Sequence, residues 1–235
     1  MTSDDQASLI GQYLGPALAR AALRPKVFAW DHNWDTTYPF AVLANAAAAS
    51  YISGVAFHCY GGDRSAMTSF HQAYPQLDIA LTECADSSRA TFGVKLVYDI
   101  RSTIIGSLRN WARSVAKWNL ILDETGGPKL YSGACRNCAG MVTINSATGA
   151  VSYNEDYYAV GHASRFIQRG AYRVDSTTSP GGIENVAALN PDGSLVVLAV
   201  NTGDNPIIFQ IQSRGAVLQY MLAPGNVATF SWNVR

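Results

Sequence analysis

Four apolar runs in the first half of the chain lead into side chains that can do chemistry or bind a ligand. These side chains are Asp31, His58, Tyr60, Glu83, Trp118 and Asn119. Glu83 is the sharpest case, because it ends the apolar run "DIALTE" and a carboxylate beside a buried strand is costly to desolvate unless it is paired or used. The residues alone leave two interpretations of Glu83 open, a structural ion-pair partner or part of a site.

The elements that position these residues alternate along residues 1–168. An opening helix is predicted from a capping-box pair, Ser3 and Gln6, and from an apolar face of Leu9, Tyr13 and Leu18. Strand patterns then alternate with helical patterns, and the last strand pattern is "VAKWNLILD". Continuous apolar strands that alternate with helices predict a parallel sheet covered by helices.

In such sheets a ligand binds at the carboxyl ends of the strands, where the six side chains fall. No G-x-G-x-x-G or G-x-x-x-x-G-K-[ST] motif follows any of these strands, which disfavours a dinucleotide or phosphate-loop site. The scattered histidines contain no H-E-x-x-H pattern, which disfavours a zinc protease.

The pattern changes near residue 169. From Ala171 onward the chain consists of strand-like runs separated by turn signals such as "NPDG" and "NTGDNP". The sequence therefore predicts an α/β domain over residues 1–168 and an antiparallel β-sandwich domain over residues 169–235.

Composition narrows the classes of function. Hydrophobic residues make up 48% of the 235 residues, which supports a packed core, and 17 Lys and Arg balance 17 Asp and Glu. The charge balance gives no reason to expect nucleic acid as a partner, and no apolar run is long enough for a membrane span. The start "TSDDQ" shows no secretory signal, and localisation stays open.

The four cysteines favour no metal site. Cys135 and Cys138 form one C-x-x-C without a second pair or a nearby histidine, which favours a local disulfide or two free thiols over zinc. Cys59 and Cys84 directly follow His58 and Glu83, and strand alternation turns each away from the face that its predecessor uses. They are expected to be buried, small apolar side chains.

Five motifs in order carry a family resemblance: "WDHNWD", "GVAFHCYGG", "LTECADSS", "WNLILDETGGP" and "DYYAVGHASRFIQRGAYRV". Together they resemble glycoside hydrolase family 30, the group of bacterial and lysosomal glucosylceramidases. The resemblance implies a retaining β-glycosidase on a (β/α)8 TIM barrel that is joined to an antiparallel β-sandwich.

The resemblance also assigns roles. It implies that Glu83 is the catalytic nucleophile and that His58 and Tyr60 line the site and position this carboxylate. It places Trp118 and Asn119 at the sugar-binding subsite and makes Asp31 a site-lining acid. The chemistry needs two carboxyl groups about 5–5.5 Å apart and no metal or organic cofactor.

The acid/base glutamate that the family mechanism needs is not found among the motifs of this chain. In the family the acid/base glutamate belongs to an "NEP" motif at the fourth barrel strand, and no "NEP" occurs here. The chain is therefore expected to correspond to barrel strands five to eight plus most of the sandwich. As substitutes, Glu124 falls in a Gly-rich loop, Glu155 precedes a helix and Glu184 falls in the sandwich, and none is expected at a strand end opposite Glu83. The missing half or a second copy in a homodimer is the expected protein partner.

Three functions remain in competition on the sequence. The first is retaining cleavage of β-glucosidic bonds in a carbohydrate or glycolipid substrate, such as a glucosylceramide or a β-glucan. The second is a non-catalytic carbohydrate-binding or inactive fragment that keeps the sugar-facing aromatic residues. The third is a product that does not fold alone.

Overall fold

A computed structural model describes residues 1–85, 90–129, 135 and 138–233 of the protein. They form two compact units. The first unit comprises Met1–Cys84 and Asn110–Ala116, and the second comprises the described parts of Ala85–Arg109 and Lys117–Arg235.

The first unit is built on a four-stranded parallel sheet with the strands in chain order. The strands are β1 (Val27–Trp34), β2 (Ile52–Gly62), β3 (Asp78–Glu83) and β4 (Ser114–Val115). The first four residues of β3 are buried, as expected for a parallel strand covered on both faces. The predicted parallel sheet is confirmed.

Helices precede β1 and connect β1 to β2 and β2 to β3. They are α1 (Ser3–Ser8), a π-helical segment (Leu9–Leu14), α2 (Gly15–Arg20), α3 (Thr37–Leu43), α4 (Ala46–Ala49) and α5 (Ser65–Ala73). Asn45 lies between α3 and α4 and caps α4, because its side chain accepts from Ala48 N. Val42, Phe57, Phe70 and Leu81 are among the fully buried residues of the core.

Two details predicted for the opening helix are wrong. The capping box is formed by Thr2 and Asp5, one residue earlier than the predicted pair Ser3 and Gln6. Leu9 and Tyr13 are exposed, while Ala7 and Ile10 are buried. The physical reason is a close helix contact: a Cβ at Gly11 would lie 2.8 Å from the backbone nitrogen of Ala48.

In its described residues, the second unit contains three α-helices, a three-stranded sheet and an antiparallel β region. The helical segments are α6 (Phe92–Tyr98), a π-helical segment (Asp99–Ile105), α7 (Gly106–Arg109) and α8 (Glu155–Ser164). The three-stranded sheet comprises β5 (Ile121–Asp123), β6 (Val142–Ile144) and β7 (Val151–Tyr153).

The predicted strand "VAKWNLILD" is divided between β4 and β5, which belong to different sheets. Lys117 lies between them, and its side chain is buried in ion pairs with Asp99 and Asp156. A buried, ion-paired lysine within the run accounts for the break.

The predicted antiparallel strands of the tail are confirmed. β13 (Val227–Asn233), β10 (Ser194–Asn201), β9 (Ile183–Leu189) and β8 (Tyr172–Val174) form one sheet in this order, and β11 (Ile207–Ser213) pairs with β12 (Ala216–Leu222). Ile183, Ala199 and Leu222 form a buried cluster. Across the described ranges, no helix combines the length and the apolar character needed to span a bilayer.

Candidate active site

Glu83 is the last residue of β3, and its carboxylate meets the side chain of Tyr60 from the neighbouring strand. Tyr60 Oη donates a 2.9 Å hydrogen bond to Glu83 Oε1. In the ladder between β2 and β3, His58 is the register partner of Glu83. The structure thus brings His58, Tyr60 and Glu83 to one end of the parallel sheet.

Irregularities in the strand register shape this end of the sheet, and two of them are bulges at Asp31 and Thr82. Between β1 and β2, Trp30 pairs with Ala56 and His32 pairs with Phe57, so that Asp31 is an extra residue in β1. Between β2 and β3 the register skips from Leu81 to Glu83, so that Thr82 is an extra residue in β3. Bulges re-aim side chains and often lie next to active sites.

The two bulged residues are hydrogen-bonded to each other. Thr82 Oγ1 donates a 2.6 Å hydrogen bond to Asp31 Oδ1, and His58 Nε2 lies 3.1 Å from the same oxygen. Asp31 has a left-handed backbone (φ 61°), as does Trp30 (φ 77°), a conformation that costs energy for residues with a Cβ. The Asp31 carboxylate therefore ties β1 to both β2 and β3.

Thr82 and Asn33 are site residues that the sequence reasoning missed. Asn33 Oδ1 accepts a 3.2 Å hydrogen bond from the backbone nitrogen of Tyr60. A Cβ at Gly62 would lie 2.0 Å from the carbonyl oxygen of Trp34, so glycine is needed where β2 passes β1. The signal in the sequence was that Asn33 lies two residues after Asp31 in "WDHNWD" and that Thr82 directly precedes Glu83 in "LTEC".

Cys59 and Cys84 form a disulfide, with 5.2 Å between their Cα atoms. The two cysteines were expected to be buried, small apolar side chains, and Cys84 is fully buried while Cys59 is partly buried. The expectation is wrong in that they are bonded to each other. They directly follow two register partners, His58 and Glu83, and so meet across the strands. The equal offset of each cysteine from a strand-end site residue was the signal in the sequence.

Trp118 and Asn119 belong to the second unit, and their part in a common site with Glu83 stays a prediction. Trp118 is half-exposed, and the backbone oxygen of Asn119 accepts from Met141 N at 2.9 Å. The preceding residue, Lys117, is 1% exposed and lies 2.5 Å from Asp99 Oδ1 and 2.8 Å from Asp156 Oδ1. This buried triad fixes the chain at the start of the segment.

The three other glutamates, Glu124, Glu155 and Glu184, have polar or charged partners within the second unit. Ser146 donates to both carboxylate oxygens of Glu124, at 2.6 Å and 2.8 Å, and these hydrogen bonds hold the pKa of Glu124 below its usual value. Glu155 pairs with Lys95, and Glu184 pairs with Arg101 at 2.7 Å. With its pKa lowered, the Glu124 carboxyl group is a poor proton donor near neutral pH.

In the described ranges, no three His, Cys, Asp or Glu side chains are grouped as metal ligands. Cys135 and Cys138 form a local disulfide, which is one of the two alternatives expected from their spacing.

The sequence profiles of two known domains match this chain. The glycosyl hydrolase family 30 TIM-barrel domain matches residues 1–167, and the glycosyl hydrolase family 30 β-sandwich domain matches residues 170–230. The chain belongs to glycosyl hydrolase family 30. The family resemblance and the expected fold, part of a TIM barrel followed by an antiparallel β-sandwich, are confirmed.

Individual relatives agree with this membership. The endo-1,6-β-D-glucanase BGN16.3 of Trichoderma harzianum is 38% identical over 91% of this chain and 43% of that protein. The putative glucosylceramidase 2 of Caenorhabditis elegans is 35% identical over 88% of this chain and 41% of that protein. Among solved structures, the endo-β1,6-glucanase BT3312 matches with a TM-score of 0.92 and 28% identity, over 100% of this chain and 54% of that chain.

This family 30 chain therefore spans about half the length of the relatives that it matches. The relatives are glycosidases by name, so the prediction of a glycoside hydrolase family is confirmed at that level.

Proposed function

We propose that this chain carries the nucleophile of a retaining β-glycosidase and that Glu83 is this nucleophile. The observation that supports the proposal is the hydrogen bond from Tyr60 Oη to Glu83 Oε1 at the end of a buried parallel strand. An attacking carboxylate must be ionised, and a hydrogen-bond donor stabilises the ionised form. Asp31 and His58 stand beside it as polar groups that can orient a sugar.

The proposed reaction has two steps. Glu83 attacks the anomeric carbon, the bond from this carbon to the leaving oxygen breaks, and the electron pair departs with that oxygen. Water then cleaves the glycosyl ester on Glu83 and restores the carboxylate with net retention. Trp118 would offer an apolar ring face to a pyranose, and Asn119 would offer hydrogen bonds to its hydroxyl groups.

The proposed substrate is a β-1,6-linked glucan. This choice rests on relatives, since both the Trichoderma harzianum protein and the solved structure BT3312 are named as β-1,6-glucanases. A glucosylceramide is the second candidate, supported by the Caenorhabditis elegans relative.

The proton donor in this proposal comes from outside these 235 residues. The partners of Glu124, Glu155 and Glu184 support this part, because each carboxylate is held by a serine hydroxyl or by a cation. A leaving group that needs no protonation can then separate the role of Glu83 from that of the acid.

The test is covalent labelling with 2,4-dinitrophenyl 2-deoxy-2-fluoro-β-glucoside, followed by intact mass and peptide mapping. The expected result is a gain of one fluoroglucosyl unit on the peptide that contains Glu83, with none in Glu83→Gln. Absence of a mass gain in a protein with a folded circular dichroism spectrum would overturn the proposal and favour the non-catalytic carbohydrate-binding alternative.

Linkage preference is tested with the same chemistry. Fluorinated aryl glycosides of gentiobiose, which is β-1,6-linked, and of laminaribiose, which is β-1,3-linked, are compared by their labelling rates. Faster labelling by the gentiobioside is expected. Equal rates for the two disaccharides, or labelling by the monosaccharide alone, would count against a β-1,6-glucan.

A further inference from the structure

We propose that the disulfide between Cys59 and Cys84 is a positioning device that holds Tyr60 against the nucleophile Glu83. This inference rests on the proposed function of Glu83. It assigns to the disulfide a role in the reaction that goes beyond stabilising the fold.

The disulfide lies directly beside the site residues in the chain. Cys59 stands between His58 and Tyr60, and Cys84 directly follows Glu83. The disulfide therefore joins the two strand segments that carry the three site residues, and each half-cystine is bonded through the backbone to at least one of them.

The hydrogen-bonded ladder between β2 and β3 ends at the candidate site. Regular pairing of β2 with β3 is interrupted by the bulge at Thr82, and His58 with Glu83 is the last pair in the register. Beyond this pair β2 continues to Gly62, while β3 ends at Glu83. The disulfide is thus a covalent tie at the point where the ladder no longer fixes one strand against the other.

Tyr60 is 49% exposed, so water competes for its hydroxyl group. A hydrogen bond at a site is effective when the groups that carry it are held in place beforehand. Cys84 is fully buried, so the tie is anchored in the core, and it limits how far Tyr60 and Glu83 can separate.

A purely structural disulfide predicts something different. Linking residues that are 25 apart in sequence removes conformational freedom from the unfolded chain and so stabilises the folded state. That effect changes the melting temperature but not the rate at which folded protein is labelled. The positioning role predicts a lower maximal labelling rate in protein that is still folded.

The experiment compares the variant C59S/C84S with the matched control C135S/C138S, which removes the local disulfide. Labelling by the dinitrophenyl fluoroglucoside is followed over a range of concentrations, below the melting temperature of every variant. C59S/C84S is expected to lower the maximal rate by about tenfold, the same factor as Tyr60→Phe, with little change in the half-saturating concentration. C135S/C138S is expected to stay within twofold of the original chain.

Coupling to Tyr60 provides the readout that a structural role would not change. Tyr60→Phe is expected to slow labelling in the disulfide-containing protein and to have little further effect in C59S/C84S. An equal factor in both backgrounds, or a C59S/C84S protein that is labelled at the original rate, would overturn the inference. If C59S/C84S fails to fold, reduction and reoxidation of the original chain replace it, with the same expected loss and recovery.

If the original chain is not labelled at all, the proposed function is overturned. An NMR experiment then still tests whether the disulfide holds Tyr60 against Glu83. In protein with ¹³Cζ-tyrosine, the resonance of Tyr60 is assigned by its loss in Tyr60→Phe. Glu83→Gln is expected to shift this resonance when the disulfide is present and to leave it unchanged when the disulfide is reduced. The same shift in both states would show that the disulfide does not hold the pair.

Discussion

Thr82 Oγ1 donates a 2.6 Å hydrogen bond to Asp31 Oδ1, and each of the two residues is the extra residue of a β-bulge. The bond crosses over β2, whose residue His58 lies 3.1 Å from the same carboxylate oxygen. Two irregularities on separate strands are thereby linked through side chains, and one of them lies directly before Glu83.

Replacing Tyr60 with Phe tests the hydrogen bond to Glu83. A hydrogen bond to a charged group contributes about 1.5–3 kcal/mol, and the exposure of Tyr60 favours the lower end, so labelling should slow by about tenfold. The measurement is the rate of fluoroglucosyl transfer by intact mass. An unchanged rate would mean that Tyr60 does not support the nucleophile.

Replacing Thr82 with Val tests the link between the bulges. The variant keeps the β-branched shape but leaves Asp31 without its hydroxyl donor, so we expect labelling to slow by about 3–10-fold, as for loss of one hydrogen bond. Thr82→Ser is the matched control, since it retains the hydroxyl group, and it should label at nearly the original rate. Equal rates in Val and Ser variants would contradict the link.

Replacing Lys117 with Met tests the buried triad. Lys117 is 1% exposed and both of its partners, Asp99 and Asp156, are 0% exposed, so the change leaves two buried carboxylates without their cation. Loss of about 3–5 kcal/mol in the free energy of unfolding is expected in urea titrations. Lys26→Met is the control, because Lys26 is 66% exposed in its pair with Asp78 and should cost about 1 kcal/mol or less. Similar losses in the two variants would contradict the role assigned to the triad.

Titration of His162 is expected to make the free energy of unfolding depend on pH. Burial holds the pKa of His162 below its usual value, and its Nδ1 lies 2.9 Å from Thr229 Oγ1. The unfolded chain, with a histidine pKa of about 6.5, binds the proton more readily than the folded chain does. The contribution of His162 to the free energy of unfolding is therefore constant above this pH and falls as the pH drops below it.

The measurement is urea unfolding between pH 8 and pH 5 for the original chain and for His162→Gln. The variant should lose less stability than the original chain between pH 7 and pH 5. Parallel curves for the two proteins would show that His162 does not titrate differently on folding.

Much of this fold was predictable because it follows from local patterns. Continuous apolar runs that alternate with helical patterns predicted the parallel sheet β1–β4, and the turn signals predicted the antiparallel tail. The opening helix was less predictable, since the burial of Ala7 rather than Leu9 depends on a close contact between Gly11 and α4.

The sequence by itself placed Glu83 at the end of a strand, because the apolar run stops there. It placed Asp31 and Tyr60 at strand ends wrongly, since β1 continues to Trp34 and β2 continues to Gly62. Pairing with the neighbouring strand extends both strands, and no single run shows this. The sequence also determined the family, because five motifs occur in order. Only the tertiary structure decided which atoms meet. The bulges at Asp31 and Thr82 change the register by one residue, and strand register is a relation between segments that are distant in the chain. For the same reason, only the paired strands showed that Cys59 and Cys84 are partners, since each cysteine taken alone resembles a buried apolar residue.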